Sequence, residues 1–478
     1  IGGVVNIITN DDYSGFKANM SYGQFDEGDG EATSAEFSWG SEGDRSRSFF
    51  SVSWSDEQDV GAGDRNISMY PVVGFPWGIS SGTPEGRILF TDPRTGEFLN
   101  FTTYSQNPVY DPNCWVGGET PGCDSFQGFT LADRFNWQPF NFLMTPNRRV
   151  NFFTKTEFDL SDTTTFRVLA TFNNRESTSR AAPEPLFFGP EAGAGEILDN
   201  IVIAANNPFN PFGIQLDNTN IFFTGRRPIE AGPRIFDQSV DTWYISAGLD
   251  GVFDSGNSSI YWDVNAIWSE NAAEQRKRGA FNAQNIALAV GDPAVCAQVP
   301  GCTPFNWIGP GNMTQEMLDF VTFIQKDVSN QDLFNFSFNM TGEFGGFEAG
   351  PIGWAAGYER REENGYFIPD SIVSKGFTAG VPASPTAGGF EVDEFYAEFI
   401  IPVWRGDNGN LFDVSAAVRS SDYDLFDNET IFDIGLNFAP SDEVMVRASF
   451  SEGFRAPHIG ELFNTGSRFD AGINDPCS

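Results

Sequence analysis

Ser259-Ile260-Tyr261-Trp262-Asp263-Val264-Asn265-Ala266-Ile267-Trp268-Ser269 alternates in character along its length. Successive side chains of an extended strand point to opposite faces. Ile260, Trp262, Val264, Ala266 and Trp268 therefore share one face, opposite Tyr261, Asp263, Asn265 and Ser269. The same period recurs outward in both directions. It appears in Gly15–Gln24, Ser48–Ser55 and Thr165–Asn174, and again in Asp332–Phe344, Thr430–Phe438 and Glu443–Ser451. About thirteen such strands are legible, most of about ten residues, the length a tilted strand needs to cross a bilayer. One face is apolar and aromatic, and the other is Ser, Asn, Asp and Thr. A soluble sandwich and a membrane barrel both produce that alternation.

The connections separate the two. Ser41–Asp44, Ser161–Thr163, Asp254–Ser258, Gly345–Gly350, Arg405–Asn410 and Ala439–Asp442 are short. Between them lie long ones, about 58–148, 181–236, 278–329 and 365–388, with modest loops near Asp26–Gly30 and Leu425–Asn428. Short and long connections on alternate turns are the habit of outer-membrane barrels, whereas a sandwich has no reason to place its long loops on every second connection. Within the third long loop, Met313–Gln325 carries a helix pattern capped by Thr314, expected as a packing element.

Composition agrees. The 478 residues hold 28 Lys plus Arg against 65 Asp plus Glu, a net charge of −37, which excludes a basic nucleic-acid-binding face. With 49 Phe the chain is not a disordered acidic tail. No apolar run approaches the roughly 20 residues of a membrane helix. Cys114 with Cys123, and Cys296 with Cys302, read as two small loop disulfides, each worth about 2–3 kcal/mol and implying an oxidising compartment. Zinc is the competing reading. Against it stand the absence of CxxC spacing and a single His, His458, far from both pairs. No metal and no cofactor is expected.

Five segments then resemble, in order, the TonB-dependent outer-membrane receptors. Ile1–Asn10 (Ile-Gly-Gly-Val-Val-Asn-Ile-Ile-Thr-Asn) is similar to the last strand of that family's plug domain. Asn207-Pro208-Phe209-Asn210-Pro211-Phe212-Gly213, Gly357–Glu362 and Arg419–Tyr423 resemble further family segments. Ser451–Phe463, containing Phe454-Arg455-Ala456-Pro457, resembles its strand-to-loop motif. The resemblance implies an all-β fold, an antiparallel transmembrane β-barrel of the plugged, ~22-strand type, only part of which this chain covers. Residues 1–12 would be the C-terminal end of the plug domain, and 13–478 the N-terminal and middle part of the barrel. It implies an outer-membrane location and a receptor that imports a scarce ligand with TonB-coupled energy. The TonB complex would be met through a segment preceding Ile1. An open barrel edge would leave on the order of ten unpaired backbone groups in lipid, at several kcal/mol each. The chain is therefore expected to be a fragment, with the partner of Cys477 beyond Ser478.

No catalytic constellation is present: no G-x-S-x-G, H-E-x-x-H, P-loop or Rossmann fingerprint, and no enzyme is expected. Trp77, Trp115 and Trp307, with Arg226, Arg227 and Arg455, are the candidate ligand contacts. Aromatic rings suit sugars or chelate rings, and guanidinium suits carboxylate or phosphate. The same tryptophans can instead pack loops over the lumen, and the arginines (with Arg234) can instead pair with Glu230 and Asp237. The ligand is expected to be an oligosaccharide or peptide, or an iron chelate. Asp26–Glu31 is an acidic turn, read as solvated rather than calcium-binding. Arg276-Lys277-Arg278 is expected at lipid-headgroup level, facing lipopolysaccharide. A surface lipoprotein over the loops is a further partner such a receptor admits, and no nucleic acid is expected. The rival reading is a surface structural or adhesive β-protein without transport. A secreted glycan hydrolase lacks its catalytic signature.

Overall fold

A computed structural model describes residues 13–464, apart from 119, 121, 257, 407 and 408. The plug-like strand of residues 1–12 and Cys477 lie outside the described residues. Thirteen strands form one antiparallel meander in which each pairs with the next. They are β1 (Gly15–Gly23), β2 (Ala32–Glu42), β3 (Ser46–Glu57), β4 (Asn147–Ser161), β5 (Thr164–Ala181), β6 (Arg234–Ser255) and β7 (Ser258–Phe281). There follow β8 (Thr322–Phe347), β9 (Gly350–Ile368), β10 (Thr386–Arg405), β11 (Leu411–Tyr423), β12 (Glu429–Ser441) and β13 (Val444–Ser451). All the short turns lie at one end of this sheet and all the long loops at the other.

The apolar face is continuous through the register. Val52 pairs with Phe152, Phe152 with Phe172 and Phe172 with Trp243. Ile245 pairs with Trp268 and Trp268 with Phe334. No layer of the described residues covers this belt: Trp243 is 40 % exposed, Phe395 60 % and Phe450 65 %. A sandwich would bury these rings; a barrel wall turns them to lipid.

The strands run much longer than their alternation suggests. β6, β7 and β8 have 22, 24 and 26 residues, so β8 extends for roughly 80 Å at ~3.3 Å per residue. Only the part beside the short turns carries the belt. Beyond Trp243 and Trp268 both faces turn polar (Asp237 and Asp241 on β6, Glu270, Glu274 and Arg276 on β7), because there both faces meet water. Alternation therefore disappears while the backbone ladder continues.

The three longest loops do not remain loops. They assemble one lobe around a five-stranded sheet, ordered Leu186–Phe188, Ile221–Arg226, Arg87–Thr91, Phe98–Thr103, Phe126–Gly128. Helices Ala283–Val290 and Gln315–Val321 complete its core with buried Ile286, Val290, Met317 and Val321. Thr314 caps the second helix by accepting from the Met317 N–H at 3.3 Å, and Thr322 then starts β8 rather than prolonging the helix to 325. Phe90 and Phe101 are wholly buried, with ring centroids 5.0 Å for Phe90–Phe212 and 4.7 Å for Phe101–Phe126. The disulfides Cys114–Cys123 and Cys296–Cys302 both lie in this lobe. The Asn207–Gly213 segment is one of its anchors. Asn207 accepts from the Phe209 N–H and donates to the Ala289 and Gly291 carbonyls. Asn210 repeats the device, accepting from Phe212 and donating to Ala204 and Ile214. Asn207 thus stitches the turn onto a helix about 80 residues away and Asn210 closes the turn on itself, which satisfies polar groups that the core would otherwise strand.

Candidate functional site

The non-belt face lines the barrel interior, and the lobe meets it at the outer mouth. Arg234 and Phe236 on β6, Lys277 on β7 and Gln325 on β8 all have interior parity. Loop residues Glu184–Phe187, Gly193–Ala194 and Thr378–Val381 close over them, leaving a cavity of about 410 Å³. Lys277 is 8 % exposed, and its Nζ donates to Glu184 Oε1 at 2.6 Å. Glu184 Oε2 accepts from the Phe281 N–H at 3.0 Å. Both Glu184 oxygens are therefore hydrogen-bonded. Arg234 donates from Nε to the Ala182 carbonyl at 2.8 Å, and makes no ion pair among the described residues. Two cations face one carboxylate, so the cavity carries a local positive excess in a strongly acidic chain.

Further round the wall, interior-facing polar groups are matched to one another. Arg419 binds Glu394 through two contacts, at 3.0 and 2.5 Å, and Ser421 donates to the same carboxylate at 2.5 Å. Asn335 donates to Glu359 at 2.7 Å, and Tyr396 to Asn339 at 2.8 Å. Such a wall suits hydrated contents. At the outer rim, helix Ile459–Phe463 packs Ile459 and Leu462 against buried Phe390, Val392 and Tyr423.

The six candidate contacts divide. Trp77 is 52 % exposed on the lobe surface, its ring centroid 4.2 Å from that of Phe75. Arg455 is exposed at the rim and grips both Glu461 oxygens at 2.9 Å. That grip, with the backbone of His458, pulls the Glu461 carboxyl down to about 2. The other four, read from the sequence as ligand contacts, lie buried inside the lobe. Trp115 and Trp307 are 6 % and 2 % exposed, in the aromatic core. Arg226 donates to the Asn306 carbonyl at 2.9 Å, to Glu230 at 2.6 Å and to Asn312 at 3.1 Å. Arg227 donates to the Pro183 carbonyl at 2.8 Å. Burial pushes the Arg226 guanidinium down to about 10 against the pull of Glu230, and burial with the nearby charge of Arg234 does the same to Arg227. Both stay charged at neutral pH, as internal struts. Of the pairings weighed for the cluster, Glu230 is taken by Arg226, while Asp237 is taken by Arg278 at 2.9 Å.

Arg276-Lys277-Arg278 splits by parity: Lys277 points inward, Arg276 and Arg278 outward. Arg276 lies eight residues beyond Trp268, the last aromatic of the β7 belt. In the acidic turn, Asp29 holds Arg65 at 2.5 and 2.9 Å, an ion pair closing the loop. Arg234, Lys277, Glu184 and Phe187 were not among the six. Counting parity from Trp243 and Trp268 assigns Arg234 and Lys277 to the interior, but only the folded loops show that they share a cavity.

The model of the family described as TonB dependent receptor-like, beta-barrel, matches residues 192–476. No curated protein matches. Among solved structures, a mutant of the ferric enterobactin receptor of Pseudomonas aeruginosa aligns at 12 % identity and a TM-score of 0.42, covering 96 % of this chain and 47 % of that one. The ferric preacinetobactin receptor of Acinetobacter baumannii aligns at 12 % identity and 0.33, covering 91 % and 57 %. The ferric-catecholate import receptor of E. coli K12, in its open form, aligns at 9 % and 0.30, covering 92 % and 65 %. The chain thus spans about half to two-thirds of the length of these receptors.

Proposed function

The chain belongs to the family of TonB-dependent receptor-like β-barrels, and from that premise we propose that it forms part of an outer-membrane receptor that binds a scarce nutrient and imports it with TonB-coupled energy. The observation that carries the reading is the asymmetry of the sheet. One end has only tight turns, and the other raises a packed lobe over an interior lined with polar groups. A surface adhesin needs no polar interior, whereas a ligand on its way through a barrel does. The ligand is an oligosaccharide or a peptide, or an iron chelate, held beneath and beside the lobe with Trp77 and Arg455 at its rim. Outward-facing Arg276 and Arg278 meet the polar sugars and phosphates of lipopolysaccharide above the belt.

The test is deletion of residues 70–140 from the intact receptor. Heat-modifiable migration on a gel should show an inserted barrel, while ligand binding is lost. Unchanged binding would remove the lobe from the site.

A further inference from the structure

The cavity at the lumen mouth has one donor group with nothing to hold. Lys277 is neutralised by Glu184, whose two oxygens accept from Lys277 and the Phe281 N–H. Arg234 is anchored through Nε to the Ala182 carbonyl, which fixes the guanidinium plane. Its two terminal nitrogens have no carboxylate within ion-pair reach among the described residues. A guanidinium fixed at Nε offers its far edge as a planar fork, the geometry that takes both oxygens of a carboxylate. Phe187 and Phe236 stand beside it as apolar walls. Glu184 acts on Arg234 only from beyond ion-pair distance, while its two oxygens are held by Lys277 and the Phe281 N–H.

Resting on the receptor reading, we propose that this cavity is the subsite for a carboxylate of the ligand, with the adjoining apolar or ring portion against Phe187 and Phe236. An acidic sugar and the C-terminus of a peptide share that chemistry. A neutral oligosaccharide or a cationic chelate lacks it. The long-range field of a −37 chain opposes any anion. Selection must therefore come from short-range contact inside the cavity, where low dielectric strengthens a bidentate pair.

The experiment is calorimetry on the full-length receptor in detergent with two pairs of probes. N-acetylphenylalanine is compared with its amide, and digalacturonate with its methyl ester. The acid of at least one pair should bind about tenfold or more tightly than its neutral partner, and which pair does so identifies the source. Arg234→Gln should abolish the difference, and Arg234→Lys should retain part of it, which separates lost charge from lost folding. No acid preference in the native receptor, or a preference undiminished in Arg234→Gln, overturns the subsite. The titration requires no transport. Absent preference with intact uptake therefore sinks only the subsite, and preference without TonB-dependent uptake sinks only the transport reading.

Discussion

Arg226 is buried among three partners, and removing it leaves the Asn306 carbonyl without its side-chain donor and Glu230 without its cation, with the Asn312 N–H still reaching that carboxylate. Breaking one side of a buried pair costs on the order of 3 kcal/mol. Arg226→Ala should therefore accelerate hydrogen exchange across the lobe, although the side chain touches no solvent-facing site. Exchange rates equal to those of the native protein would restore Arg226 to the list of free cations. Asp92 offers a pH test. It is wholly buried. Burial pushes its carboxyl up, but hydrogen bonds from Arg94 at 2.9 and 2.8 Å and from Tyr110 at 3.0 Å outweigh it and hold it below the ordinary carboxylate value. A depressed value stabilises the fold above the unfolded pKa of about 3.9, and that contribution disappears as pH falls through the folded value. The lobe should melt progressively earlier below pH ~4, and Asp92→Asn should flatten that acid limb. An acid limb unchanged by the substitution would mean that another carboxylate controls it.

At the scale of one strand, β7 gives a paired experiment. Val264 lies mid-belt on the lipid face, and its neighbour Asn265 faces the interior beside Ser246, which donates to it at 3.0 Å. Arg on a lipid face at mid-depth costs about 2–4 kcal/mol. Val264→Arg should impair barrel insertion, while Asn265→Arg, one residue along, should be tolerated. Equal effects would refute the assignment of faces. The loop disulfides make a complementary case. Replacing Cys114 and Cys123 together by Ser removes about 2–3 kcal/mol of loop constraint, which should appear in the melting of the lobe and leave insertion unchanged.

For the molecule as a whole, lobe and wall are separable in stability. The wall draws on a hydrogen-bond ladder that links all thirteen strands and on lipid, whereas the lobe draws on an aromatic core assembled from three loops. Removing 70–140 takes three of the five lobe strands, together with Phe90, Phe101 and Trp115. The remaining Ile203, Ile221 and Trp307 would then be uncovered. That variant should bind a hydrophobic dye such as ANS while remaining inserted. A dye-silent deletion would show that the rest of the lobe packs without it.

Alternation along Ser259–Ser269 was enough to identify a β-wall, and the spacing of turns to choose membrane over sandwich, because both are local properties of a chain with period two. The pairing of cysteines nine and six apart was legible for the same reason. The full reach of β8 was not, since a strand with water on both sides carries no alternation. Nor was the fate of Arg226, Trp115 and Trp307. Their burial depends on partners as distant as Asn306 for Arg226, and a loop rich in Gly, Pro and aromatics reads alike whether its rings face a ligand or one another. Sequence determined which face of each strand meets lipid. Only the tertiary structure decided which side chains of the outer loops are core and which, like Arg234, are left with an open edge, because that choice is made by contacts between loops rather than within them.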